Sequence, residues 1–107
     1  MSKKNKKNDY ALVSLMGTIV WSDVVRYNEN KKELHNYFIQ VTEKYNDKER
    51  KHSFKATQFG LKRNSPIFEK GDRVKISGFL KVNRYQNDDG EWVNQTYISI
   101  NKIEEVE

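Results

Sequence analysis

The chain contains no cysteine, a single proline, five glycines that stand apart from one another, and no long apolar run. Without cysteine there is no disulfide framework, no thiolate metal site and no cysteine nucleophile. Reducing conditions leave such a chain unaltered, which suits a cytoplasmic protein. Isolated glycines build no phosphate-cradling loop, so nucleotide-driven chemistry is not expected. The longest uncharged run, Tyr10 to Ser22, falls well short of the roughly 20 apolar residues of a membrane helix. No apolar signal stretch follows Met1, so neither secretion nor membrane insertion is expected. Catalytic groups are equally sparse. The two histidines, His35 and His52, fall at predicted strand starts, where a lone histidine is usually a solvated or edge residue. Asp23, Glu33, Asp47, Asp88 and Asp89 scatter over predicted loops instead of converging on a metal. The expectation is a protein that is not an enzyme and holds no metal or cofactor.

Charge and aromatic rings are what the 107 residues do have. Lys and Arg number 20 against 15 Asp and Glu, a net charge of +5, and aromatics make up 12% of a chain in which 33% of residues are charged. A cationic surface favours a polyanionic partner through counterion release. Aromatics set beside Lys or Arg, outside apolar runs, suit single-stranded nucleic acid, whose bases stack while the backbone tracks cations. The chain is long enough for one thin core and no second one.

The segment Met1–Asp9 carries four Lys and nothing apolar apart from Met1, so it reads as a disordered basic arm preceding a single domain over 10–107. From Tyr10 the alternation of β-branched and aromatic residues with polar ones predicts five strands. The first runs through Val13, Leu15, Ile19 and Trp21, with Gly17 marking a bulge or sharp coil, and on this count Trp21 belongs to the core or a subunit contact. The second, 35–43, turns Tyr37, Ile39 and Val41 inward. The third, 52–59, buries Phe54 and Ala56 and leaves Phe59 facing out. Ser65 and Pro66 predict a one- or two-turn helix between strands three and four. The fourth strand has Val74, Ile76, Gly78, Leu80 and Val82 inside. Asp88-Asp89-Gly90 signals a hairpin into a fifth strand through Val93, Tyr97, Ile98 and Ile100. Five strands, a small helix after the third, and long polar loops at 22–34 and 83–92 describe an all-β OB-fold, a five-stranded Greek-key barrel.

Three stretches then resemble the bacterial single-stranded DNA-binding protein family: LMGTIVWSDVVRY, FKATQFG, and, most specifically, KGDRVKISGFLKVNRY. The resemblance implies an OB-fold that coats and protects unwound DNA in replication, recombination or repair, with little sequence preference, as a homodimer or homotetramer. It places base-stacking aromatics at Tyr45, Phe59 and Tyr85. Where the family often opens its third strand with a tryptophan, this chain has His52 or Ser53, so that platform is absent or moved, with Trp21 and Trp92 as candidates to replace it. Lys55, Arg73, Lys75, Arg84 and Trp92 complete the expected nucleic-acid-binding set, the cations as a phosphate track and Trp92 as a stacker or a cover for its hairpin. The family's glycine- and glutamine-rich tail with an acidic tip is missing, which points to a short form of phage or mobile-element type. An RNA-binding OB domain and a protein-interaction OB module of a replication or primosome complex are the alternatives.

Overall fold

A computed structural model describes residues 9–27 and 32–106, so the expected basic arm lies outside the described residues except for Asp9. Five strands follow in the expected order: β1 (Leu12–Tyr27), β2 (Lys32–Tyr45), β3 (Lys48–Lys62), β4 (Arg73–Gln86) and β5 (Trp92–Glu105). They close into a barrel in the order β1-β2-β3-β5-β4. Every seam is antiparallel except β3–β5, where Ala56 and Thr57 lie parallel to Ile98 and Ser99. This is the OB-fold barrel that the alternation predicts.

One long strand serves both halves of the barrel. Leu12–Thr18 of β1 pairs with β4, and Thr18–Tyr27 pairs with β2. Gly17 stands at that change of partner, where an added Cβ would lie 2.5 Å from the Gln40 carbonyl oxygen, so the strands approach this closely only because the side chain is missing. The bulge itself comes three residues later, at Val20.

The core is Ile19, Tyr37, Ile39, Ala56, Val74, Ile76, Ile98 and Ile100, with Val13, Leu15, Ile67, Phe68 and Ile103 packed against it. Each fully buried isoleucine contributes roughly 1.5–3 kcal/mol of transfer free energy. The inner positions of β2 and the first half of β4 are therefore as expected, but Leu80 and Val82 are exposed. The β4–β5 hairpin continues past the barrel's end, and there the inner face has nothing to pack on. Phe54, expected inside on β3, is also partly exposed at that end.

Two further expectations need correcting. The stretch 22–34 is mostly strand, since β1 reaches Tyr27 and β2 starts at Lys32, and the loop expected over 83–92 shrinks to 87–91, since β4 reaches Gln86 and β5 starts at Trp92. The β4 and β5 ends in 83–92 are polar on both faces because both faces meet water, so the period-two signal disappears while the ladder continues; in 22–34 the buried polar Glu33 breaks the pattern instead. The helix expected at Ser65–Pro66 is absent, and 63–72 forms two turns joined by extended chain. Ser65 N–H donates to the Glu33 carboxylate at 3.1 Å and Phe68 N–H to the Tyr37 hydroxyl at 3.3 Å. Extended chain lets this segment satisfy those side chains and place Ile67 and Phe68 on the core together. Among the described residues no helix is long and apolar enough to cross a membrane.

Candidate nucleic-acid interface

Cross-strand register decides which side chains share the outer face. On β1 and β2, Trp21 lies opposite Phe38, Asp23 opposite Asn36 and Val25 opposite Leu34; Phe38 and Asn36 in turn face Lys55 and Thr57 of β3. The parallel seam sets Tyr97 of β5 beside Lys55. The overhanging β4–β5 hairpin adds Asn83, paired with Gln95. These elements enclose an open groove of about 340 Å³ lined by Val25, Tyr27, Leu34, Asn36, Lys55, Thr57, Phe59, Asn83, Gln95 and Tyr97. Its floor is fixed: Leu34 and Thr57 are buried, and Thr57 Oγ1 donates to Asn36 Oδ1 at 2.7 Å. At its rim Phe59 and Tyr97 meet edge to face, ring centroids 6.4 Å apart. Phe59 is 51% exposed and Tyr27 45%. The groove thus offers aromatic rings, one ammonium and several amide groups to a flat, polar-edged, anionic ligand.

Of the expected binding residues, the groove brings together Lys55 and Phe59. Tyr85 lies on β4 instead of in a loop, opposite Val93 and on the same hairpin face as Asn83 and Gln95, so it extends one groove wall outward. Arg84 and Trp92 occupy the opposite face of that hairpin, the guanidinium carbon 4.8 Å from the indole centroid, a cation–π contact. Tyr45 ends β2 at the tip of the β2–β3 hairpin, opposite Lys48 and 70% exposed. Arg73 and Lys75 lie on the outer face of the β1–β4 pair, opposite Thr18 and Met16, outside the groove. Sequence reasoning did not assign Tyr97, Asn83, Gln95 or Asn36 to a site. Tyr97 was legible by parity, since Ile98 and Ile100 point inward and Tyr97 must then point out.

A buried polar chain supports the groove from behind. His35 is fully buried, contrary to the solvated position expected of it. A carboxylate can only accept, so His35 Nε2 donates to Glu33 Oε1 at 3.0 Å. His35 Nδ1 then accepts from the Tyr37 hydroxyl, 3.5 Å away. Arg26 Nε stands 3.4 Å from Glu33 Oε2. The His35 hydrogen bond, with the N–H groups of Asn64 and Ser65, holds the Glu33 carboxyl below its ordinary pKa against the opposing effect of burial. Burial pushes the Tyr37 phenol up, partly offset by the Phe68 N–H. This chain ties β2 to the 63–72 segment immediately beside Leu34, Val25 and Tyr27. Among the described residues no group of three or more His, Asp or Glu side chains could hold a metal ion.

Solved structures share the fold at low sequence identity. A small single-stranded DNA-binding protein from Streptomyces coelicolor superposes with a TM-score of 0.71 at 16% identity, over 92% of this chain and 96% of that one. A Plasmodium falciparum single-stranded DNA-binding protein, solved in complex with ssDNA, gives 0.74 at 18% identity over 96% and 97%. The mitochondrial single-stranded DNA-binding protein of S. cerevisiae gives 0.64 at 17% identity over 92% and 97%. Among curated proteins none matches the sequence. The sequence itself matches the single-strand binding protein family over residues 11–106, nearly its whole length, and the chain belongs to that family.

Proposed function

We propose that the protein binds single-stranded DNA along the groove between the β1–β2–β3 outer face and the β4–β5 hairpin, coating and protecting unwound strands with little sequence preference. The observation that carries this reading is the groove's lining: the Phe59 and Tyr97 rings meeting at the rim, with Tyr27 and Lys55 among the side chains that line the same groove. Every base has a π-face, so stacking is sequence-tolerant, while the ammonium and amides take the backbone and the base edges. Duplex DNA hides those faces within its own stack. Family membership and the ssDNA-bound structural neighbour support the same reading. Tyr45, Tyr85 and the Arg84–Trp92 stack lie on the two hairpins that leave the barrel and serve as outlying contacts for a longer strand. Exposed Leu12 and Met16 on the outer face of β1, with Tyr10 against Phe79 at 5.9 Å, supply an apolar surface for a homo-oligomer. The direct test is a titration of oligo-dT against duplex of equal length at low salt. Preference for the single strand is expected, and equal affinity for the two would overturn the proposal.

A further inference from the structure

We infer that Trp21 and Phe38 form a second base-stacking platform, which continues the groove across β2 and β1 so that the bound strand leaves it toward Arg73. This rests on the reading of the groove as the single-strand site. Ile19 pairs with Ile39 and both are fully buried, so in a regular strand Trp21, two residues on, would also point inward. The extra residue Val20 breaks that parity and sets Trp21 opposite Phe38, on the outer face. The same shift turns Val24 inward and Asp23 outward, and it presents the indole to water beside Phe38. Trp21 is 44% exposed, and its ring lies 5.3 Å from the Phe38 ring, centroid to centroid.

The position of the pair identifies its ligand. Phe38 faces Lys55 across β2–β3, and Lys55 lines the groove, so Trp21, Phe38, Lys55 and Tyr97 form one row across four strands. Adjacent strands are about 4.8 Å apart, which puts the platform roughly one side chain beyond the groove's edge. On its other side Thr18 pairs with both Gln40 and Arg73, so a guanidinium occupies the neighbouring row. An aromatic pair flanked by an ammonium and a guanidinium, continuous with a groove of like chemistry, fits an unstacked base with a phosphate on either side.

The chain has two tryptophans, so in a Trp92→Phe variant Trp21 is the sole indole emitter. Oligo-dT should quench its emission and shield it from acrylamide, saturating at a longer oligonucleotide than fills the groove. Trp21→Ala should weaken long oligo-dT roughly 5- to 100-fold, with a smaller loss as the oligonucleotide is shortened, and Trp21→Phe should recover most of it. Phe59→Ala, by contrast, should weaken all lengths. Unchanged Trp21 emission at saturation, with Trp21→Ala binding every length as tightly as the parent, would overturn the inference while leaving the groove reading intact. So would a Trp21→Ala variant altered in sedimentation but not in affinity, since the pair would then be a contact between copies. A parent that fails to bind oligo-dT at low salt would instead refute the groove reading, and the platform with it.

Discussion

Phe59 and Tyr97 hold each other edge to face at the groove rim, so each ring is positioned before any ligand arrives and little ordering entropy remains to be lost on binding. Phe59→Ala and Tyr97→Ala are each expected to weaken oligo-dT binding by about 1–3 kcal/mol, measured by fluorescence titration, with circular dichroism unchanged because neither side chain is core. Tyr45→Ala should lose less, its hairpin tip standing away from the groove lining. Glu33 gives a prediction of another kind. Its carboxyl is held below the ordinary value of 4.5, so the stability it contributes is complete above that pH and is lost as pH falls through the lowered value. In urea titrations the parent midpoint should drop on acidification through this window. Glu33→Gln should start lower at neutral pH and fall less steeply. At this scale the sequence was partly legible. Phe59 followed from simple parity, whereas the outward turn of Trp21, away from the core, did not, because a bulge three residues after a glycine leaves no mark in an apolar pattern. His35 was misread because its partners, Glu33 and Tyr37, sit on its own strand at two-residue spacing, where alternation registers polarity but not pairing.

The strands outrun their hydrophobic pattern at both hairpins, and turn chemistry accounts for one of them. Between β2 and β3, Asn46 and Asp47 both have positive φ, 47° and 63°, the geometry of a type I′ turn that matches the right-handed twist of the ladder. Asn tolerates this conformation well and Gly suits the second position better than Asp. Asp47→Gly should therefore stabilise the hairpin by roughly 0.5–1 kcal/mol, read as slower amide exchange from Glu43 to Arg50. Gly78 is a different case. A Cβ there would run into the Ser99 backbone carbonyl where β4 and β5 shift register, so Gly78→Ala should cost about 1–3 kcal/mol in urea unfolding. Element order and type were readable because barrel strands bury one face. The arms were not, since they bury neither, and the helix expected from Ser65 and Pro66 lost to buried acceptors on β2, which no local propensity encodes.

For the molecule as a whole, the +5 charge predicts that log K for oligo-dT falls against log salt by roughly 0.7 for each phosphate neutralised. A flat salt response would mean that Lys55, Arg73 and the hairpin cations make no phosphate contacts. The overall architecture was the most legible level, because five alternating segments in this order close into few other barrels. What could not be read was the manner of closure. Thirteen residue pairs join β2 to β3, yet two pairs close the hoop between β3 and β5. A cylinder fastened so unevenly parts first along its narrowest join, and local opening there needs far less free energy than global unfolding. Lys55 and Tyr97 stand on opposite lips of that join, so a strand gripped by both laces it shut. On the proposed reading nucleic acid acts as a fastener, and occupancy becomes a mechanical property: the loaded barrel is expected to resist being pulled or pried open along a line where the empty one gives way.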